Sequence, residues 1–145
     1  MGGLIFEIIP GLWIGSKTQN ELTFKKFNIS CTINCEKDFE FLLNRDKQFE
    51  KKIIDSNINL QKTVKYFDET ANFIHDNLKK NKSILVYCTT GLQFSPTIGI
   101  AYLIKYAKVD KINAINYILL KNDKVFRDVV LLSSSLELYN KIYNK

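Results

Sequence analysis

The sequence predicts an α/β fold with a mainly parallel central sheet flanked by helices. Short β-rich runs alternate with stretches of helical periodicity along the whole chain. The run SILVYC at positions 83–88 is apolar almost throughout, as expected of a strand that is buried on both faces of a parallel sheet. The chain has 145 residues, two prolines and no visible repeat or linker, so we expect a single domain over residues 1–145.

In the N-terminal half, the pattern predicts a hairpin followed by alternating helices and strands. Pro10 and Gly11 form the central pair of a turn between the first two strands. The first helix should turn Leu22 and Phe27 inward. The predicted elements are strands at 4–9 and 12–15, a helix at 19–27, a strand at 30–34, a short helix at 39–43 and a strand at 51–55.

The C-terminal half contains the clearest periodicity. Apolar residues recur at alternating steps of four and three from Leu60 to Leu78, which predicts a long amphipathic helix over 60–80. His75 should lie at the edge of that apolar stripe or in solvent, and we assign it no chemistry. The remaining predicted elements are the strand at 83–88 and helices at 96–107, 111–121 and 128–143.

Charge and hydropathy exclude several classes of function. The formal net charge is +6, but the lysines are spread along the chain and only Arg45 and Arg127 are arginines. A solvated basic surface explains this distribution, so we expect no nucleic-acid partner. No apolar run reaches the length of about 18 residues that a membrane span requires, and the N-terminus lacks the layout of a signal peptide. We therefore expect a protein of the cytoplasm, or of the nucleus.

The three cysteines are expected to be reduced thiols. In the strand SCTINC, Cys31, Ile33 and Cys35 share one face, which favours buried apolar thiols over metal ligands. The single histidine, His75, is distant in the sequence from these cysteines. We expect neither a metal site nor a cofactor.

The segment that follows Cys88 has the features of an anion-binding loop. Cys88 ends the central strand, and ligands of such sheets bind where a strand leads into a helix. Gly91 allows a positive φ, so that successive backbone N–H groups can point inward. Ser95 can cap the next helix and Pro96 suits its first turn. A thiol at this helix N-terminus should have a lowered pKa.

These residues resemble the dual-specificity phosphatase branch of the cysteine-dependent protein tyrosine phosphatases. The loop of that family reads His-Cys, a short variable stretch that includes Gly, and then Arg-Ser or Arg-Thr; here it is YCTTGLQFS at 87–95. The resemblance extends over most of the chain. Further similar segments are IIPGLWIGSKTQN, CTIN, DSNINLQKTVKYFDETANFI and SPTIGIAYLIKY.

The resemblance implies a role for each matching position. Cys88 would attack phosphorus and form a thiophosphate intermediate, Asp55 would protonate the leaving oxygen and later activate water, and Ser95 would help the thiolate leave. Taken alone, Asp55 could be a loop cap or a solvated acid, and its DSNINL context favours the catalytic role. The backbone N–H groups of the loop would bind the phosphoryl oxygens; these residues are Thr89, Thr90, Gly91, Leu92, Gln93, Phe94 and Ser95.

Two positions of the loop depart from the family. Phe94 stands where the family has its phosphate-binding arginine, and Tyr87 stands where it has histidine. Loss of two charge-assisted hydrogen bonds removes about 3 to 6 kcal/mol, equivalent to about two to four powers of ten in rate. The sequence therefore predicts a pseudophosphatase, or an enzyme with weak residual turnover. Arg127 is the candidate that could replace the missing cation.

Three classes of function stay open at this point. The first is a phosphomonoester hydrolase that uses Cys88, Asp55 and Ser95. The second is a binding module for a phosphoprotein or another protein, in which Leu92 and Phe94 form an exposed apolar knob or Phe94 packs inward. The third is thiol chemistry at Cys88, such as redox sensing. A phosphate-type anion is the one small ligand that the loop implies.

Overall fold

The computed structural model describes residues 4–16, 21–35, 49–50, 60–88, 92–126 and 133–144, with 49–50 described as backbone only. Strands and helices alternate along most of this part of the chain. The elements are β1 (Ile5–Ile9), β2 (Leu12–Ser16), α1 (Glu21–Lys26), β3 (Ile29–Asn34), β4 (Phe49–Glu50), α2 (Leu60–Lys79), β5 (Ser83–Cys88), α3 (Phe94–Tyr106), α4 (Lys111–Lys121) and α5 (Ser133–Tyr143).

The described strands form one mixed sheet in the order β1-β2-β5-β3-β4. Only the β1–β2 hairpin is antiparallel, while β2, β5, β3 and β4 run parallel to one another. The prediction of a mainly parallel sheet is therefore confirmed. Strand β5 lies at the centre, and its last residue, Cys88, ends at the same edge of the sheet as Ser16 of β2.

Alternate side chains of β5 enter two separate cores. Ile84, Val86 and Cys88 face the main core, which helices α2, α3, α4 and α5 cover. Leu85 and Tyr87 face a smaller second core on the other side of the sheet, together with Phe24 of α1. Burial on both faces explains why the segment 83–88 is apolar without interruption.

The turn between β1 and β2 requires a glycine. Gly11 has φ of 90°, a backbone conformation that side chains with a Cβ rarely adopt. A Cβ at this position would lie 2.9 Å from Cδ2 of Leu78. The Gly11 N–H also donates a hydrogen bond of 2.8 Å to Oε2 of Glu7. The predicted Pro10-Gly11 turn is confirmed.

The predicted length of the long helix α2 is confirmed, although its first residue is more exposed than the apolar stripe suggested. Phe67, Ala71 and Ile74 are fully buried, whereas Leu60 is 45% exposed because it is the first residue of the helix and lies beyond the core. His75 is half-buried and stacks on Tyr106, with 3.9 Å between ring centroids, which agrees with its predicted place at the edge of the stripe.

Other predicted boundaries need correction. Helix α1 ends at Lys26, one residue before its predicted end, and Leu22 is 78% exposed while Phe24 is buried instead. Helix α3 begins at Phe94, two residues before the predicted start at Pro96. The predicted helix at 39–43, the strand at 51–55 and the first part of the helix at 128–143 lie outside the described residues.

A polar cluster joins three helices on the side of the main core away from the sheet. Oδ1 of Asp68 in α2 accepts hydrogen bonds from Nζ of Lys105 in α3 at 2.8 Å and from the hydroxyls of Tyr139 and Tyr143 in α5 at 3.0 and 2.7 Å. Partial burial by itself would raise the pKa of Asp68, but the bonds from Lys105, Tyr143 and Tyr139 outweigh it and lower that pKa. The charged carboxylate therefore stabilises this helix packing.

None of the described helices combines the length and the apolarity needed to cross a membrane.

Replacing Asp68 by Asn should lower the free energy of unfolding by about 1 kcal/mol at pH 7, because a charged acceptor of three hydrogen bonds becomes neutral. The folded state lowers the pKa of Asp68, so its contribution is present above the pKa of the unfolded chain and is lost as the pH falls through the folded value. Urea unfolding of wild type and of Asp68→Asn, repeated from pH 7 to pH 3, measures this difference in the free energy of unfolding. Asp76→Asn, an exposed change on the same helix, is the control and should have little effect. A difference between wild type and Asp68→Asn that stays constant down to pH 3 would contradict the assignment.

Candidate active site

Cys88 occupies the carboxyl end of the central strand. Its side chain is 1% exposed and belongs to the main core, and helix α3 starts six positions later at Phe94. This is the place where parallel α/β sheets bind ligands, because the loop after the strand and the N-terminus of the next helix meet there.

The Cys88 sulfur contacts Ser95 through two different groups. The Ser95 backbone N–H donates to Sγ of Cys88 at 3.4 Å, and the Ser95 hydroxyl lies 3.2 Å from the same sulfur. That hydroxyl can also donate to the carbonyl oxygen of Gly15 at 3.4 Å. The first turn of α3 therefore directs two polar groups of one residue at the Cys88 sulfur.

Ser95 does not cap helix α3, contrary to the prediction. Gln93 occupies the N-cap position and its side chain makes no capping hydrogen bond. Ser95 lies one residue inside the helix, is fully buried and points toward Cys88. The helix begins earlier than predicted because Phe94 and Ser95 already have partners in the core and at the sulfur, so no hydroxyl cap is required.

The segment before α3 is attached to the turn that follows α4. The Phe126 N–H donates a hydrogen bond of 3.0 Å to the carbonyl oxygen of Leu92. Phe126 has φ of 53° and is buried, so a side chain in the left-handed region is held by its packing. Oε1 of Gln93 is a buried oxygen with no hydrogen-bond partner among the described residues.

Phe94 is half-buried and packs against the main core, and so does Leu92. Of the two placements considered from the sequence, the inward one is therefore observed for Phe94. The exposed apolar knob formed by Leu92 and Phe94 is not observed.

Tyr87 lies on the face of the sheet opposite to Cys88. Its side chain is fully buried in the second core, next to Phe24, Ile29 and Leu85. A side chain on this face packs in the second core, on the side of the sheet away from Cys88. The structural role of Tyr87 is thus a packing role in the second core.

Several predicted residues lie outside the described part of the chain: Asp55, Thr89, Thr90, Gly91 and Arg127. Their roles stay predictions. One contact that the sequence analysis missed is the Gly15 carbonyl, which reaches Ser95 because β2 and β5 are neighbours. Strand order is not readable from local sequence, so no signal pointed to Gly15.

The other cysteines are buried thiols in the main core, as predicted. Cys31 and Cys35 are thiols and share that core with Ile33. The Cys31 thiol lies 3.5 Å from Oδ1 of Asn77. Within the described ranges, no group of three or more His, Cys, Asp or Glu side chains could hold a metal ion.

Comparison with protein families gives one match that covers most of the chain. Residues 12–141 match the family described as "Dual specificity phosphatase, catalytic domain". Among curated proteins, the chain is 27% identical over 123 residues to the tyrosine-protein phosphatase vhp-1 of Caenorhabditis elegans, covering 81% of this chain. It is also 27% identical over 122 residues to human dual specificity protein phosphatase 6, covering 82% of this chain. The chain spans 18% and 32% of the lengths of these two relatives.

Solved structures of the same kind superpose over nearly the whole chain. Human DUSP28 gives a TM-score of 0.84 at 13% identity and covers 100% of both chains. DUSP15 gives 0.81 at 19% identity, covering 94% of this chain and 86% of the other. The human tyrosine phosphatase-like serine/threonine/tyrosine-interacting protein gives 0.80 at 20% identity, covering 97% and 98%. At these identities the structures establish the fold.

The packing of Tyr87 leads to a prediction about stability. Tyr87→His should lower the free energy of unfolding by about 1 to 3 kcal/mol, because a smaller ring with a polar nitrogen enters a closed apolar core. Tyr87→Phe keeps the ring volume and is the matched control in the same denaturation experiment. If the His variant proves as stable as the Phe variant, Tyr87 does not fill the second core as described.

Proposed function

Since the chain belongs to the dual specificity phosphatase catalytic domain family, we propose that it is a pseudophosphatase, a domain of this fold with little or no turnover of phosphate esters. Its role is then to bind a protein partner, either a phosphoprotein or another protein. The observation that carries this proposal is the position of Phe94 at the first turn of α3, packed against the main core.

The side-chain chemistry of Phe94 explains why we propose little or no turnover of phosphate esters. A phenyl ring offers neither a charge nor an N–H donor, so it cannot bind two phosphoryl oxygens as the planar guanidinium of an arginine does. The missing bonds would act both on bound phosphate and on the charge that develops in the transition state. Phe94 packs against the main core and supplies no cation at its own position.

A weakly active phosphatase is the second candidate, and the contacts between Cys88 and Ser95 favour it. The Ser95 N–H and hydroxyl lie 3.4 and 3.2 Å from the Cys88 sulfur. In this mechanism the thiolate attacks phosphorus, Asp55 gives a proton to the leaving oxygen, and water then breaks the S–P bond. Ser95 donates to the sulfur as it leaves. Arg127 is the proposed replacement cation.

The absence of an arginine at position 94 also limits how strongly the loop would bind phosphate. The backbone N–H groups of residues 89–95 and the N-terminus of α3 would attract an anion in both cases. Without the arginine, however, this attraction lacks the bidentate contact that usually gives phosphate sites their affinity. We therefore propose that a protein surface, rather than a captured phosphate group, supplies most of the affinity for the partner.

Phe94→Arg should restore turnover of a small aryl phosphate by about two to four powers of ten over wild type, because two charge-assisted hydrogen bonds return. Initial rates at saturating substrate measure this, and calorimetric titration with inorganic phosphate should show tighter binding by the variant. Phe94→Lys is the matched control, since it restores the charge without the planar fork and should recover less.

The double variant Phe94→Arg/Cys88→Ser shows whether the restored turnover uses the sulfur, and it should be inactive. Equal rates for wild type and Phe94→Arg, both at the level usual for an intact phosphatase, would refute the pseudophosphatase proposal. Equal and negligible rates with a folded Arg variant would place the main defect elsewhere in the loop.

The second candidate is tested on wild type itself. If the protein is a weak phosphatase, its rate exceeds that of Cys88→Ser, and Asp55→Asn lowers the rate by about two to four powers of ten because the proton donor is lost. The pH profile of the same reaction should lose its basic limb in Asp55→Asn, which a purely structural role would not cause. A wild-type rate equal to that of Cys88→Ser would exclude this candidate.

A further inference from the structure

Three turns lie next to one another at the end of the sheet that is opposite to Cys88. The β1–β2 turn contains Gly11, whose carbonyl oxygen accepts a hydrogen bond of 2.7 Å from the Ile84 N–H near the start of β5. The register of β3 and β5 aligns Ile29 with Ser83, so the turn that precedes β3 lies beside the turn that precedes β5. These turns are about 17 Å from Cys88 along β5.

Two of these turns bring five lysines together. Helix α1 ends at Lys26 on one face of the sheet, and helix α2 ends at Lys79 on the other face. We call the lysines of the two turns the basic edge: Lys25, Lys26, Lys79, Lys80 and Lys82. All are exposed except Lys82, which is partly exposed. The two groups are far apart in the chain, so the sequence alone shows only two small separate clusters.

The two turns have the same type of backbone. Asn28 and Asn81 form their tips, with φ of 57° and 61°. The Asn28 N–H donates to the Lys25 carbonyl oxygen at 3.2 Å, and the Asn81 N–H donates to the Leu78 carbonyl oxygen at 2.9 Å. Asparagine tolerates this left-handed conformation, which commonly ends a helix. The lysines of the basic edge therefore project from two hydrogen-bonded turns.

The positive charges of the basic edge are not neutralised by ion pairs with other described residues. Of the described carboxylates, Glu7 lies at the β1–β2 turn and Asp76 lies one helical turn before Lys80. The helix dipole favours the lysines in the last turns of α1 and α2. Lys80 and Lys82 lie beyond the end of α2, so the dipole does not explain the whole group.

We propose that the basic edge is a docking surface for an extended, acidic segment of a partner protein. Five lysines with two bordering carboxylates create a positive potential that attracts such a segment. Because a helix of about 10 Å diameter packs on each face of the sheet, the ends of α1 and α2 are about 20 Å apart. This distance corresponds to about six residues of extended chain. A run of Asp and Glu of that length can contact the lysines of both helix ends, with Lys82 between them.

The chemistry of the basic edge favours carboxylates over other polyanions. Lysine is a point charge and lacks the planar fork with which arginine binds phosphate groups through two hydrogen bonds. The nearby rings of Trp13 and Phe27 are half-buried and pack on each other, with 4.2 Å between centroids, so they offer no free face to a nucleobase. Neither of the two turns carries an exposed large apolar side chain that could enter a lipid layer.

The basic edge is separate from the candidate active site, because the two lie at opposite ends of β5. Binding of an acidic segment is therefore independent of any reaction of Cys88 with a phosphate ester. A failure of this proposal would leave the pseudophosphatase proposal unchanged, and the reverse also holds.

The test measures binding of a labelled hexaglutamate peptide to the folded chain by fluorescence anisotropy. We expect saturable binding with a Kd below about 1 mM at low salt. Raising the ionic strength from about 0.02 M to about 0.15 M should weaken binding about tenfold, because exposed charges are screened. Emission from Trp13, the single tryptophan, should also change, since its ring packs on Phe27 in the turn that follows α1.

Matched variants show whether the basic edge itself binds the peptide. Lys25→Glu/Lys26→Glu should raise the Kd about tenfold, and Lys25→Gln/Lys26→Gln, which only removes the charges, should raise it about threefold. Lys121→Glu/Lys124→Glu makes the same change of charge at exposed positions outside the basic edge and should change the Kd less than about twofold. Circular dichroism of each variant checks that it is folded, and the Gln variant serves as the test if the Glu variant does not fold.

Three results would overturn the proposal. The first is equal weakening by the two pairs of Glu substitutions, which would mean that the peptide responds only to net charge. The second is a lack of saturation up to about 1 mM peptide. The third is tighter binding of a uridine hexanucleotide, or of phosphatidylserine vesicles compared at equal charge, because the partner would then be a nucleic acid or a membrane.

Discussion

Burial of strand β5 on both faces is the constraint on which the rest of the structure depends. The strand lies between β2 and β3, with Ile84, Val86 and Cys88 in the main core and Leu85 and Tyr87 in the second core. Such a strand must be apolar at every position, and its carboxyl end must meet the loop and the helix that follow. Cys88 is therefore held at a fixed point, with its sulfur under the first turn of α3. The contact of that sulfur with Ser95, and of Ser95 with the Gly15 carbonyl, follows from the place of β5 beside β2 in the sheet.

Hydrolysis of a phosphate ester by this fold would need both polar contacts to the Cys88 sulfur and a cation for the phosphoryl oxygens. Ser95 places both its N–H and its hydroxyl against the Cys88 sulfur. A cation for the phosphoryl oxygens is absent from the position of Phe94, whose ring packs against the core. This arrangement supports the proposed role in binding a protein partner over rapid ester hydrolysis.

Much of the fold was predictable, and the errors have local causes. The apolar periodicity of α2 continues along the whole helix, and β5 is apolar without interruption. Both patterns are therefore strong signals of secondary structure. The described part of helix α1 has six residues, too few for a single apolar position to decide its inner face, and Leu22 is exposed while Phe24 is buried. The start of α3 was placed too late because Ser95 and Pro96 resemble a helix cap, whereas tertiary contacts of Phe94 and Ser95 extend the helix toward the loop. For the candidate site, the proximity of Cys88 and Ser95 was predictable and their catalytic roles stay predictions.

What the sequence by itself determined is the class of the fold, the strand, loop and helix around Cys88, and the identity of the residue at position 94. These depend on residue types and short spacings, which are readable along the chain. Only the tertiary structure decided which elements are neighbours. It placed β5 between β2 and β3, brought the Gly15 carbonyl to Ser95, and joined Asp68 to Lys105, Tyr139 and Tyr143 on two other helices. Such contacts arise from the packing of the whole core, because segments that are distant in sequence meet only when every apolar face is buried at once.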